Sequence, residues 1–360
     1  MGPLILLAGD SHVEGLAPPA AEVARAFGRE FSASYERGLR ADQAAEWLPA
    51  EVRAAGAGEV WVQLGTNDLE APHEFADAAE ALARAVPEVP FLWWLPPPAT
   101  REPYAEAARR NAEVLEELRA RGGFVGVVDS RRYADPAELR DGVHFSADGY
   151  AWWGRRAAVD SCLRAVETHG APTSLLVALA EAESGFDPDA VNPASRATGM
   201  WQVTGILLVE RQRVTGDRFS LGDMRDPAKG ADVAGWYVRR IVDRLAEVGL
   251  AEDLGSRDYV GVVAVAYNAG LSETASTVRA LLSANLPVTP ESVVARSRRP
   301  NRTFYADVER AFFRGQPERG APSPAGAPPE PAPGRRSRGA GLAVALALGV
   351  GILVVSQGKK

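Results

Sequence analysis

The chain has 360 residues, a formal net charge of −7 and a hydrophobic fraction of 46%, which is typical of two globular domains of ordinary size. The acidic balance argues against nucleic acid as a partner, because binding phosphates requires a basic face. Since one cysteine, Cys162, and four histidines show no metal-ligand spacing, we predict no disulfide, no metal and no cofactor.

The first part of the chain alternates apolar runs with stretches of helical spacing. The apolar runs predict strands at 3–8, 31–35, 60–64, 91–95 and 124–128. The stretches between them predict helices at 41–55, 74–86 and 104–121. Such alternation is typical of parallel strands with crossover helices, so we predict a three-layer α/β domain over residues 1–167. Ligands of such sheets bind at the carboxyl ends of the strands.

The character of the sequence changes after residue 170. Thr173 or Ser174 can cap a helix, and helical spacing without a convincing strand continues from there. The helices are predicted at 175–183, 230–248, 259–268 and 271–286. We therefore predict an all-α domain over residues 168–314.

The C-terminal part has two further segments. Residues 315–338 are rich in proline, alanine and glycine, which is typical of an extended linker. The uncharged apolar run 339–355 follows, with basic residues on both sides, and would span roughly 26 Å as a helix. We predict a transmembrane helix there, with a buried hairpin or docking helix as the alternative. The N-terminus lacks a basic region before its short apolar run, so no signal peptide is predicted.

Four short motifs occur in order in the first part of the chain. They are GDS at 9–11, Gly38, GTND at 65–68 and DGVH at 141–144. The first three follow predicted strands, and the fourth precedes a final helix. In this order they resemble the SGNH (GDSL-type) hydrolase family, over roughly residues 1–167.

The resemblance implies a serine esterase. Ser11 would be the nucleophile, His144 its base and Asp141 the carboxylate that orients the imidazole. The donors to the oxyanion would be the backbone N–H groups of Ser11 and Gly38 and the side-chain amide of Asn67.

Neighbouring polar residues receive structural interpretations. Asp10 and Asp68 are interpreted as turn-stabilising groups, and His12 as a pocket-edge or surface residue. Cys162 lies in an apolar stretch and is interpreted as a packed core thiol.

A second set of motifs follows in the helical part. They are ESG at 183–185, GMWQ at 199–202, AYNAG at 266–270 and TFY at 303–305. Together they look like the family 1 lytic transglycosylases, whose fold is related to goose-type lysozyme, over roughly residues 170–314. One departure is Trp201, where the family more often has a smaller methionine or phenylalanine.

Glu181 and Glu183 lie two residues apart, so on a helix they point about 200° from each other and only one can face a cleft. The motif selects Glu183 as the catalytic acid, and Glu181 is interpreted as a solvated residue. The implied reaction cleaves peptidoglycan without water: Glu183 protonates the glycosidic oxygen and then takes the proton of the sugar's own C6 hydroxyl. Attack of that oxygen on C1 leaves a 1,6-anhydro end. Such an acid needs an apolar setting that raises its pKa.

Further residues are implied to line the glycan groove or to hold Glu183, with helix packing as the alternative interpretation. They are Ser184, Met200, Gln202, Tyr267, Asn268 and Tyr305.

We therefore predict a bifunctional enzyme of peptidoglycan, whose esterase removes O-acetyl groups that block transglycosylation. The alternatives are a wall-binding structural protein with vestigial sites, a lysozyme-type hydrolase, and an esterase for other acyl esters. With the predicted C-terminal helix and no signal peptide, the expected location is a membrane, of the bacterial envelope or of a phage virion. A phage virion or lysis enzyme is slightly favoured over a bacterial wall-remodelling enzyme.

Overall fold

A computed structural model describes residues 2–122, 126–297 and 303–314. Its first part contains one sheet of five parallel strands in the order β2-β1-β3-β4-β5. The strands are β1 (Gly2–Gly9), β2 (Arg29–Tyr35), β3 (Glu59–Gln63), β4 (Phe91–Trp94) and β5 (Gly126–Val128). Gly9, the last residue of β1, pairs with Tyr35 on one side and with Gln63 on the other. The carboxyl ends of these three strands therefore lie side by side.

Five helices cover the two faces of this sheet. They are α1 (Ser11–Ala26), α2 (Ala41–Ala55), α3 (Pro72–Arg84), α4 (Tyr104–Ala120) and α5 (Ala147–Leu163). Alternate side chains of the buried strands point to opposite faces, so Ile5 and Leu7 pack under α1 and α5, whereas Leu6 and Ala8 pack under α2, α3 and α4. The predicted three-layer arrangement is thus present.

The periodicity did not predict α1. Pro18 and Pro19 lie inside this helix, and proline normally ends or kinks one because it lacks the N–H donor. The side chain of Asp10 caps the helix by accepting a hydrogen bond from the backbone N–H of His12 at 2.9 Å.

The second part is helical, as predicted. Its helices are α6 (Thr173–Ser184), α7 (Gly205–Thr215), α8 (Pro227–Glu247), α9 (Arg257–Ala269), α10 (Leu271–Ser283), α11 (Pro290–Val294) and α12 (Phe304–Phe313). Strand pairing in its described residues is limited to isolated bridges around Thr198. The core beneath α1 and α5 continues into these helices, and Cys162, 3% exposed, packs within it as expected.

The described residues contain no helix that is long and apolar enough to cross a membrane. The longest, α8, carries charged side chains such as Lys229, Asp232 and Arg240. Because no described helix could cross a membrane, the prediction of a membrane-anchored protein is wrong. The predicted span 339–355 and the predicted linker 315–338 lie outside the described residues.

Candidate active sites

The first site forms at the aligned ends of β1, β2 and β3. The chain leaves β1 at Gly9, where a side chain would place its Cβ 2.0 Å from the carbonyl oxygen of Gln63, so only glycine permits this approach. Asp10 then caps α1, and Ser11 becomes the first residue of the helix. The positive end of the helix dipole therefore lies at the Ser11 hydroxyl, where it favours negative charge.

Ser11, His144 and Asp141, the three residues implied as nucleophile, base and orienting carboxylate, form a hydrogen-bonded chain. Ser11 Oγ lies 3.0 Å from His144 Nε2, and His144 Nδ1 lies 2.9 Å from Asp141 Oδ2. The other carboxylate oxygen of Asp141 accepts the backbone N–H groups of His144 and Val143 at 2.7 and 2.9 Å. These bonds, the His144 N–H first, hold the pKa of Asp141 well below its usual range. An ionised Asp141 can therefore orient His144 and stabilise its imidazolium form.

Asn67 and Gly38 follow the ends of β3 and β2, which the register aligns with the end of β1. One hydrogen of the Asn67 amide is donated to Asp10 Oδ2 at 3.0 Å, and only a long contact of 3.5 Å reaches the carbonyl oxygen of Leu39. The second amide hydrogen thus has only this long contact among the residues that the structure describes. Gly38 is exposed and has a φ of 76°, a backbone conformation that favours glycine.

Asp10 does more than stabilise a turn. It is completely buried, and this desolvation raises its pKa to about 7, against the lowering effect of its bond from His12. Its two oxygens hold the start of α1 and the side chain of Asn67 together.

His12 is buried, not at a pocket edge as predicted. Its Nδ1 lies 2.9 Å from Tyr150 Oη, and its ring centroid lies 5.5 Å from that of His144. Burial lowers the pKa of His12 to about 3, so its imidazole is neutral beside that of His144. The burial of His12 could not be predicted from its place in the sequence, because its partner Tyr150 is 138 residues away.

A groove of about 790 Å³ opens beside Ser11, between α1 and α5. We name it the α1–α5 groove. Its lining comprises Ser11, Glu14, Gly15, Pro18, Pro19 and Glu22 of α1, Arg37 and Arg140 in loops, and His144, Phe145, Ala147, Tyr150, Ala151 and Arg155 at or before α5. Gly38 and Asn67 are not among its lining residues.

The second site lies at the carboxyl end of α6. Glu183 is half-buried there and lines a cavity of about 570 Å³, and Gly185 ends the helix with a φ of 64°. Its carboxyl group makes no hydrogen bond or ion pair with the part of the chain that the structure describes. Desolvation raises the pKa of Glu183 to about 8. The group is therefore mostly protonated at neutral pH and can act as an acid.

Three of the implied substrate-binding residues, Gln202, Tyr267 and Asn268, line the same cavity as Glu183. Tyr267 Oη donates to the carbonyl oxygen of Trp201 at 2.9 Å, and burial raises the pKa of Tyr267 well above its usual value, with a further contribution from Glu183. The side-chain amide of Gln202 donates to the carbonyl oxygens of Gly199 and Ala190 at 2.9 and 3.1 Å.

Ser184 and Met200 do not line the cavity but stabilise the backbone next to Glu183. Ser184 Oγ donates to the carbonyl oxygen of Met200 at 2.9 Å, which ties the end of α6 to the following turn. The side chain of Met200 is buried and packs in the core. Trp201, the departure from the family pattern, is also completely buried, so its larger ring fills the core and does not face the cavity.

Tyr305 is not among the lining residues of this cavity. Its hydroxyl donates to Glu291 Oε1 at 2.9 Å. Its neighbours Phe304 and Asp307 line the cavity instead, on a helix that the periodicity did not predict.

Two further carboxylates line the cavity and were missed from the sequence. Glu210 lies 3.0 Å from Arg240 Nη1, and Asp307 lies 3.0 Å from Arg310 Nη1. Both partners are on the same or neighbouring helices, so each of these carboxylates is paired with an arginine, whereas Glu183 has no such partner in the described part of the chain.

Comparison with known proteins identifies part of the chain. Residues 161–281 match the family model described as the Transglycosylase SLT domain, so the chain contains an SLT transglycosylase domain, as the motifs indicated. The match begins in the last turn of α5 and ends in α10. The comparison with curated proteins found no match.

Several solved structures are similar to this chain. One is a GDSL-like lipase from Bacteroides thetaiotaomicron, with 15% identity over 46% of this chain and 89% of that chain, at a TM-score of 0.39. Another is a lipase/acylhydrolase from Enterococcus faecalis, with 20% identity, 45% and 97% coverage and a TM-score of 0.39. A third is an acetylxylan esterase from Geobacillus stearothermophilus, with 16% identity, 45% and 94% coverage and a TM-score of 0.39.

Proposed function

We propose that the helical part of this chain cleaves the glycan strands of peptidoglycan by lytic transglycosylation, with Glu183 as both acid and base. The observation that carries this proposal is the state of Glu183 within the SLT domain. Its carboxyl group is half-buried, has no partner among the described residues, has a pKa of about 8 and faces a cavity. A protonated acid at neutral pH is what the first step requires.

The reaction uses one carboxyl group. Protonated Glu183 gives its proton to the glycosidic oxygen, and the bond from that oxygen to C1 of the muramic acid breaks. The resulting carboxylate takes the proton of the C6 hydroxyl while O6 forms a bond to C1. The products are a 1,6-anhydro end and a free 4-hydroxyl end, and Glu183 is protonated again. The other carboxylates of the cavity, Glu210 and Asp307, are neutralised by arginines and are not needed.

For the α/β part we propose a serine esterase that removes O-acetyl groups from the same polymer. The supporting observation is the chain of hydrogen bonds from Ser11 through His144 to Asp141, at 3.0 and 2.9 Å. His144 takes the Ser11 proton as Oγ attacks the ester carbonyl, and it returns that proton to the leaving sugar oxygen. Water then releases acetate from the acyl-enzyme by the same route. Asn67 and the start of α1 stabilise the oxyanion.

The esterase reaction would prepare the substrate of the transglycosylase reaction. O6 of muramic acid must carry a free hydroxyl to attack C1, so an acetyl ester at this position prevents anhydro formation. Removal of the ester by Ser11 would create the substrate for Glu183. Holding both sites on one chain raises the local concentration of the second site.

The test is acetate release and mass spectrometry of products from O-acetylated peptidoglycan, for the full chain and for Ser11→Ala and Glu183→Gln. We expect anhydro ends to be lost with Glu183 and acetate to be lost with Ser11. On acetyl-free peptidoglycan Ser11→Ala should cleave at the parent rate, and equal slowing on both polymers would contradict the link. Reducing ends would instead indicate a lysozyme-type hydrolase, and tight wall binding without any product would indicate a structural protein.

A further inference from the structure

We propose that the α1–α5 groove binds an extended, carboxylate-bearing glycan chain, so that Ser11 acts on short acyl esters carried on such a polymer in preference to long-chain fatty acyl esters. This inference rests on the proposed esterase activity of Ser11 and specifies its substrate.

The first argument is the length of the groove. Its α1 side consists of one helical face, from Ser11 through Gly15 and Pro18 to Glu22. At 1.5 Å per residue this face extends about 16 Å from the nucleophile. An acetyl group occupies only the space next to Ser11, so the remaining length is available to the alcohol side of the ester, and its size suits consecutive sugar rings.

The second argument is the floor of the groove, where two glycines let the helices pack closely. A Cβ at Gly15 would lie 2.4 Å from Tyr150 Cγ, and a Cβ at Gly154 would lie 2.7 Å from Pro19 Cγ. The ring of Tyr150 therefore packs directly on the backbone of α1, and Pro18 and Pro19 line the same groove. Apolar ring surfaces of this kind suit the C–H faces of pyranose rings.

The third argument is the polar rim. Arg37 pairs with Glu14 at 2.8 Å near Ser11, and Arg155 pairs with Glu22 at 2.8 Å at the far end. Arg155 is half-buried and the other three side chains are exposed, so the pairs contribute little to stability but present many donors and acceptors to sugar hydroxyls. An open groove with four charged side chains is a poor site for a fatty acyl chain, whose burial requires an enclosed apolar surface.

Arg140 adds one positive charge that is not compensated. Its side chain is exposed and lines the groove, and it forms no ion pair with the described residues. Its backbone N–H donates to the carbonyl oxygen of His144 at 2.8 Å, so its position is fixed beside the catalytic base. Because Glu14 and Glu22 are already paired, Arg140 favours a substrate that carries a carboxylate near the ester, such as the lactyl or peptide carboxylates of a wall glycan.

The first test fills the groove away from Ser11. In the full chain, Ala151→Trp would obstruct its middle, and Ala50→Trp, on exposed surface of α2 across the sheet, is the matched control. Activity is measured with p-nitrophenyl acetate and with O-acetylated peptidoglycan strands. We expect Ala151→Trp to keep the parent rate on the small ester, which also shows that it is folded, and to lower kcat/KM on the strands at least about ten-fold, mainly through KM.

The second test removes the charge. Arg140→Gln should raise KM about ten-fold for the anionic strands and leave KM unchanged for a neutral O-acetylated oligosaccharide. Arg25→Gln, which makes the same charge change on α1 outside the groove, should alter neither value.

The outcomes separate the two proposals. If the parent protein hydrolyses neither p-nitrophenyl acetate nor the O-acetylated strands, the esterase proposal fails, and the proposal for its substrate fails as well. If it hydrolyses p-nitrophenyl acetate but Ala151→Trp affects strands and small ester equally, or not at all, the esterase stands and the groove proposal is overturned. Faster hydrolysis of long-chain acyl esters than of acetate would also overturn it.

Discussion

The guanidinium group of Arg156 in α5 forms a two-point ion pair with the carboxylate of Glu181 in α6, with Nε–Oε2 and Nη2–Oε1 distances of 2.6 and 2.5 Å. The two side chains are 1% and 11% exposed. The interpretation of Glu181 as a solvated residue is therefore wrong. Glu181 holds the α/β part against α6, while Glu183, on the other side of the same helix, faces the cavity.

The first prediction concerns this ion pair. Arg156→Leu removes the hydrogen-bonded partner of buried Glu181 and leaves only Arg314, 3.8 Å away. It should lower the free energy of unfolding by about 3–5 kcal/mol, measured by urea denaturation. Arg155→Leu, which breaks the neighbouring exposed pair with Glu22, should cost less than about 1 kcal/mol. The double variant Arg156→Leu with Glu181→Leu should recover most of the loss. A loss as small for Arg156→Leu as for Arg155→Leu would show that the buried pair does not stabilise the junction.

The second prediction is the pH dependence of glycan cleavage. The pKa of Glu183 is raised to about 8, so the proton-donating form is present below pH 8 and disappears above it. The rate of formation of anhydro ends should therefore fall as the pH rises through about 8. Glu210→Gln, which changes the paired carboxylate in the same cavity, should leave this decrease of the rate at the same pH. A decrease near pH 4 to 5 instead would show that Glu183 is not desolvated in the working protein.

The third prediction links the same group to stability. Between its ordinary pKa of 4.5 and the raised value of about 8, folded Glu183 keeps a proton that the unfolded chain releases. The free energy of unfolding should therefore decrease as the pH rises through this window. Glu183→Gln cannot ionise, so it should be more stable than the parent at pH 8, by a few kcal/mol at most, and equal to it at pH 4. Equal stability at both pH values would contradict the raised pKa. Chemical denaturation at the two pH values measures the difference.

The fourth prediction tests Asp141. Asp141→Asn removes the charge that stabilises the His144 imidazolium and should lower kcat on p-nitrophenyl acetate about 10³- to 10⁴-fold. Asp148→Asn, an exposed change in the first turn of α5, is the control and should have no effect. Retention of parent activity by Asp141→Asn would rule out a triad mechanism.

The fifth prediction tests the contact between Asp10 and Asn67. Asp10→Asn keeps an oxygen that can cap α1, so the thermal stability should change little. The new amide cannot both cap the helix and accept from Asn67, so the Asn67 amide should lose its fixed orientation. We expect kcat on p-nitrophenyl acetate to fall about 10- to 100-fold with KM nearly unchanged. Asp68→Asn, at a buried carboxyl group that bonds Ala41 and not Asn67, should leave kcat near the parent value. Equal effects of the two changes would assign both carboxyl groups to folding.

Most of the elements and both sets of motifs could be predicted from the sequence. Helix α2 was predicted with the observed bounds, Ala41–Ala55, because its apolar side chains recur at helical spacing. Helix α1 was not, because its two prolines mask that spacing. Ser11, Asp141, His144 and Glu183 were each identified by motifs of a few neighbouring residues.

The sequence by itself determined which residues we propose for the chemistry, because their motifs are local and because helix geometry separates Glu181 from Glu183. Only the tertiary structure decided what surrounds them. Arg156 reaches Glu181 across 25 residues, Tyr150 reaches His12 across 138, and the α1–α5 groove forms only where two distant helices pack. The burial and the partners of these side chains depend on which distant segments pack together. The free energy of such contacts therefore cannot be read from any short stretch of sequence.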